Sequence, residues 1–253
     1  MRAPAFLACL LLFGLPVDLA AATELELAPL VDVARGRYGY DETTTSWSNL
    51  VTATVREGAY AFEATSGYVV VNGPAAAGTQ GAVGGGTPFA HRRTGLADTV
   101  IGANWRDQVS ERLWLQTGLE LKLPTADATR GLGTGAVDGT ARLRAAWLGW
   151  RVTPFIDGSF SVLGSSNEVQ PRDTAWSAGI GAAMRFEAGF SAGLYGEIRQ
   201  PVVVDSRTVQ SVMLFGETAL TDTLSVSAWA ALGTGTLAVK QRAGLRLTWR
   251  TAG

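Results

Sequence analysis

Cysteine and histidine are almost absent from this chain. The one cysteine is Cys9, inside an apolar N-terminal stretch, and the one histidine is His91. Downstream of residue 9 there is therefore no disulfide framework and no thiolate chemistry. The residues before Cys9, Phe6-Leu7-Ala8, make a poor lipobox. Serine hydrolases and histidine-assisted proteases need an imidazole fixed within reach of a partner. His91 sits instead beside Arg92 and Arg93 in a glycine-rich segment, where an exposed loop residue is expected. Charge is also sparse, at 17% of residues with a net charge of −1, so nothing favours nucleic acid. Beyond the N-terminus no stretch approaches the roughly 20 continuous apolar residues of a membrane helix. No pattern calls for a cofactor or a metal, although a carboxylate calcium site at Asp41-Glu42 stays open.

What the chain does have is apolar residues, 47% of the total, dispersed one in two. Residues 112–123 carry the pattern most clearly. Leu113, Leu115, Leu119, Leu121 and Leu123 alternate with Arg112, Gln116, Glu120 and Lys122. A period of two sends successive side chains to opposite faces of a strand. Arg142 and Arg144 oppose Ala141, Leu143, Ala145 and Trp147 in the same way. Lys240, Arg242 and Arg246 oppose Leu237, Val239, Ala243, Leu245, Leu247 and Trp249. Twelve strands are expected, near 27–38, 47–56, 59–71, 95–106, 112–123, 137–148, 152–163, 174–186, 189–200, 207–219, 223–233 and 236–249. The first and the tenth of these alternate poorly.

The N-terminus reads as a signal peptide. Arg2 gives the positive start, Ala5 to Leu15 the short apolar core, and Ala20-Ala21-Ala22 a small-residue cleavage site. The expected organisation is a cleaved segment 1–22 and one domain over 23–253. Alternating strands behind a secretory leader suit an antiparallel up-and-down transmembrane β-barrel of about 12 strands, apolar towards lipid and polar towards the lumen. A soluble β-sandwich would share the alternation. The tryptophans favour the barrel. Trp105, Trp147 and Trp249 lie near one set of strand ends, and Trp47 and Trp176 near the other, all on apolar faces. Tryptophan collects at membrane–water interfaces, so these five would form two girdles.

The connections alternate in length. Glu57-Gly58, Asp107 to Glu111, Gly149 to Arg151, Glu187 to Gly189 and Thr221-Asp222 are tight turns, expected on the periplasmic side. The segments 39–46, 72–94, 124–136, 164–173 and 201–206 are longer and expected outside. By face assignment the lumen holds Glu63, Asp98, Arg106, Arg112, Glu120, Lys122, Asp138, Arg142, Arg144 and Asp157. It also holds Arg185, Glu197, Arg199, Glu217, Lys240, Arg242 and Arg246. This set suits either a conduit with a slight preference for anions or an interior filled with ion pairs.

Two resemblances add to this reading. Arg242-Ala-Gly244-Leu-Arg-Leu247-Thr-Trp249 resembles the C-terminal targeting signal of outer-membrane proteins, with Arg250 to Gly253 following the aromatic residue. It implies recognition by the outer-membrane insertion machinery. Thr94-Gly95-Leu96-Ala97-Asp98 is similar to a Gly-Leu-Gly-Asp strand start. Leu123-Pro124-Thr125-Ala126-Asp127, followed by Gly131-Leu-Gly-Thr-Gly135 and Asp138, is similar to a Leu-Pro-Thr-Gly-Asp … Gly-Thr-Gly loop. Both patterns occur in outer-membrane proteins of the type named for the meta-pathway of phenol degradation, and Ala97 and Ala126 stand where those have glycine. The resemblance implies a channel in the bacterial outer membrane for small solutes, aromatic or hydrophobic compounds among them. The implied partners are outer-membrane lipid, lipopolysaccharide and the solutes themselves. A closed structural or adhesion barrel working through its outer loops is the alternative, and an outer-membrane hydrolase a third. The glycines at 131, 133 and 135 are not a dinucleotide fingerprint, since no strand–glycine–helix unit surrounds them. Bulky residues at Gly133 or Gly135 are expected to alter permeation more than stability.

Overall fold

The computed structural model describes residues 24–78, 81–83, 88–89, 91–149, 151–165, 172–187, 189–202, 208–235 and 237–251. The segment 1–22 read as a signal peptide lies outside them. The strands are β1 (Glu24–Gly36), β2 (Thr44–Glu57), β3 (Tyr60–Asn72), β4 (Ala76–Gly78), β5 (Gly81–Val83), β6 (Arg92–Leu96) and β7 (Thr99–Gln108). They continue as β8 (Leu113–Leu123), β9 (Asp138–Trp147), β10 (Val152–Val162), β11 (Thr174–Arg185) and β12 (Phe190–Arg199). The last three are β13 (Val209–Ala219), β14 (Leu224–Thr234) and β15 (Gln241–Arg250).

Each long strand pairs antiparallel with its chain neighbours, and β15 pairs with β1 from Glu26↔Arg250 to Arg35↔Gln241. The ring closes through β2 and β3. It is a closed 12-stranded antiparallel barrel, because β6 and β7 share one position. The outer part of β3 pairs with β6 and the inner part with β7. The single strand expected over 95–106 is thus broken at Ala97-Asp98. There Ala97 N–H reaches back to Gly67 O at 3.0 Å and frees Asp98 to serve the lumen.

The two faces are inverted relative to a soluble protein. Leu119 is 67% exposed on the outside, whereas Lys122, three residues on and facing in, is 6% exposed. Leu143, Ile156, Ile180, Leu194, Leu214 and Leu232 are likewise exposed, and Glu26, Asp32 and Thr248 are buried. A closed ring leaves no unpaired strand edge in hydrocarbon, and an exterior of this kind belongs in lipid. The chain has the architecture and the surface of a bacterial outer-membrane barrel. Trp47, Trp147, Trp176 and Trp249 stand exposed on the exterior, and Trp105 is half-buried there.

β1 and β13, whose sequences alternate poorly, alternate in geometry. In β1, Leu25, Leu27 and Val31 face out while Glu26 and Asp32 face in. In β13, Val212 and Leu214 face out, and the inward side carries Met213 and Phe215. The pattern was obscured because part of the lumen wall is itself apolar. The long connections all gather at one end, and the tight turns gather with the start of β1 and the finish of β15 at the other.

The lumen and its clamped outer mouth

The long connection after β3 does not stay outside the ring. β4 and β5 pair with each other; β5 lies against β1 and β2, and β4 against β3. Ala75, Ala76 and Ala77 are buried, and Ala77 packs with Val69, Val71, Ala126 and Leu132. Val69 and Val71 are inward-facing residues of β3, so this cluster is an apolar plug just inside the mouth. Leu132 comes from the connection between β8 and β9, which folds in as well. Gly95 on β6 makes room for it, since a Cβ there would meet Leu132 Cδ1 at 2.6 Å.

Three buried charged groups hold these segments. Arg93, 4% exposed, donates from Nη1 to Gly73 O at 2.7 Å, from Nη2 to Ala75 O and from Nε to Gly131 O at 3.4 Å. Its guanidinium also lies 5.1 Å from the centre of the Phe89 ring. One side chain thereby ties both infolded segments to the wall. Ala77 N–H to Gly131 O, at 2.8 Å, joins them to each other. Asp98 is the second group. Its carboxylate accepts from Ala126 N–H at 3.2 Å and from Thr134 N–H at 3.4 Å. Gly133 lies against it, where a Cβ would sit 2.7 Å from both carboxylate oxygens. Lys122 is the third. It pairs with Asp138 at 2.6 Å and Asp98 at 3.8 Å, and donates to the Thr134 hydroxyl. The two family-like motifs, around Asp98 and over 123–138, thus meet in space as one clamp. A 3-10 turn at Ala128–Arg130 completes the loop, capped by Asp127. The Asp127 carboxyl is held below its ordinary range, chiefly by the Thr129 hydroxyl.

Beneath the clamp lies a cavity of about 450 Å³. Of the residues assigned to the lumen from sequence, Asp98, Glu120 and Lys122 line it, as do Arg142, Arg199, Arg242 and Arg246. Charges are paired across strands: Arg142 with Glu120 at 2.6 Å and Arg242 with Asp32 at 2.8 Å. Farther in, Arg144 pairs with Asp157 at 3.1 Å, and Asp157 accepts the Tyr195 hydroxyl at 2.8 Å. Glu197 occupies the same wall, two positions along β12 from Tyr195. The Arg142 and Arg144 side chains remain about half exposed, at 46% and 48%, so the interior is open beside them.

Part of the wall is aromatic. Phe155 stacks on Tyr195 with ring centres 5.8 Å apart and lies 6.2 Å from Phe215. The Arg144 guanidinium sits 5.2 Å over the Phe155 ring. These rings lie flat because glycines face them: a Cβ at Gly181 would overlap Phe155, one at Gly179 Tyr195, and one at Gly193 Phe215. Gly244 receives the Trp229 indole in the same way. Trp229, Phe155, Tyr195 and Phe215 all fall on the inward parity of their strands.

Four sequence assignments need correction or narrowing. Arg112 lies in the turn before β8 and Lys240 in the turn before β15, both exposed and outside the strands. A face assignment does not extend into a turn, because the backbone there no longer alternates. Arg106 and Arg185 sit at the ends of β7 and β11, exposed at the periplasmic rim and not in the cavity. Sequence patterning does not single out Arg93, nor Glu26, Asp32, Arg56 and Arg250. The last of these pairs with Glu26 at 3.0 Å and with Glu24 at 3.5 Å. His91 is exposed at the mouth, its Nδ1 3.5 Å from Glu42. Among the described residues no three or more potential metal ligands gather.

No protein-family profile and no curated protein sequence matches the chain. Solved structures do. The COG4313 outer membrane channel of Pseudomonas putida F1 is similar with a TM-score of 0.64 at 14% identity, over 93% of this chain and 99% of that one. The NanC porin gives 0.54 at 7% identity, over 90% and 99%. The translocator domain of the autotransporter NalP from Neisseria meningitidis gives 0.51 at 8%, over 97% and 93%. At these identities the likeness is one of fold.

Proposed function

We propose that the chain is an outer-membrane channel for the passive passage of small solutes, aromatic or hydrophobic compounds among them. The observation that carries the reading is the cavity of about 450 Å³ inside the ring, continuous with half-exposed Arg142 beside Glu120. Porins and a channel among the structures of like fold agree with it. The flat row of Phe155, Tyr195 and Phe215 supplies a wall on which apolar or aromatic solutes can lie. Residues 73–78 and 124–137 form the constriction, and Arg93, Asp98 and Lys122 set its width. The five exterior tryptophans act as interface girdles towards lipid and lipopolysaccharide. The last strand, which closes the ring on β1, is the part handed to the insertion machinery.

Single-channel recording of the refolded protein in a planar bilayer tests the proposal. Discrete conductance steps that enlarge when Arg93 is replaced are expected. A folded barrel that stays silent in both forms favours the second reading, a closed barrel acting through its outer loops, for which the buried clamp is the supporting observation. Catalysis has no place in the proposal. Any hydrolytic activity that disappears in His91→Ala would reinstate the hydrolase.

A further inference from the structure

Most cations lining the cavity are engaged. Lys122, Arg142 and Arg242 are paired with carboxylates, and Arg199 has an interaction partner. Arg246 differs. Its side chain makes no hydrogen bond or ion pair among the described residues, and its Nε is buried without an acceptor. The register explains this. On either side Arg246 is flanked by Leu30 of β1 and Ser227 of β14, neither of them acidic. Glu63 lines the same cavity and forms no ion pair with Arg246. Removing a guanidinium from bulk water without a counter-charge is costly, so a lumen arginine left bare is a site waiting for an anion.

The neighbourhood narrows the kind of anion. Arg199 lines the same cavity and adds positive potential. Between Arg242 and Arg246 on the inward face of β15 is Gly244, and the Trp229 indole lies across it. A flat apolar surface therefore adjoins the free guanidinium. We propose that Arg246 anchors a subsite for a small organic carboxylate: the carboxylate takes the fork of the guanidinium and the apolar body lies along Trp229. The inference rests on reading the lumen as a solute route and names the solute class.

Equilibrium dialysis of labelled benzoate against the refolded full chain in detergent tests it, with heat-dependent gel migration confirming that each variant is folded. Saturable binding is expected, weakened about tenfold or more in Arg246→Gln. Arg246→Lys should retain part of it, because the charge stays and the fork is lost. Arg151→Gln, at an exposed periplasmic turn, should bind as wild type. Benzyl alcohol should not compete, and inorganic phosphate should compete more weakly than benzoate. Undiminished binding by folded Arg246→Gln and Arg246→Lys, or no saturable binding by the wild type, overturns the subsite. Phosphate competing as well as benzoate overturns the organic part of the assignment. The bilayer experiment is separate. Benzoate binding by a silent barrel removes the channel and keeps the subsite, whereas a conducting barrel that ignores benzoate does the reverse.

Discussion

The two ends of the barrel use charge differently. At the outer mouth, Arg93, Asp98 and Lys122 are buried, and their partners are mostly loop backbone groups or each other. At the periplasmic end, Arg151 and Glu187 meet at 3.3 Å on tight turns with both side chains mostly in water. Tight turns are held by the strands they join, so charges there add little. Long infolded segments have no ladder of their own, and buried side chains must satisfy their carbonyls and amides.

This contrast can be broken in order of effect. Arg93→Ala should be the most severe, because it strands the carbonyls of Gly73 and Ala75 and removes the second donor to Gly131 O. Each buried unsatisfied group costs about 1–3 kcal/mol. The expected result is release of residues 73–78, seen as proteolytic nicking there and larger conductance, with the barrel still resistant to heat on gels. Gly133→Val should come next, since its added atoms collide with the Asp98 carboxylate. It should open the same mouth, whereas Gly158→Ala, facing lipid, should leave conductance unchanged. Wild-type conductance in Gly133→Val would remove Asp98 from the clamp. Tyr195→Phe should cost about 1 kcal/mol in urea unfolding, for one hydrogen bond to Asp157 at the half-open wall.

Smaller still is acidification at the loop turn. The Asp127 carboxyl has a lowered pKa when folded, so its contribution is present above the ordinary carboxylate range and is lost as pH falls through the lowered value. Faster amide exchange of Arg130, which donates to that carboxylate, should appear only at acid pH and should be absent from Asp127→Asn. At the periplasmic end, Arg151→Ala should shift stability by no more than about 0.5 kcal/mol. A loss comparable to that of Arg93→Ala would erase the distinction between the two ends.

Alternation is a local property, and it placed most of the fold. Strands β8, β9 and β15, the sidedness of long and short connections, and the inward direction of Glu120, Lys122, Arg142 and Arg242 were all readable in a window of about ten residues. The same window failed at strand ends, where Arg112 and Lys240 lie in turns. It also failed in β13, where lipid and lumen faces are both apolar. The break between β6 and β7 was invisible because Ala97-Asp98 interrupts the ladder to serve a segment some thirty residues later in the chain.

The sequence by itself determined the strands and the charged and apolar face of most of them, because the period of two acts on every residue whatever its distant neighbours. Only the tertiary structure decided that the strands close into a ring, which loops enter it, which arginine clamps them, which rings lie over which glycines, and that Arg246 has no partner among the described residues. Those outcomes depend on groups brought together from separate strands, and pairing between them is set by register and shape, which no local pattern encodes.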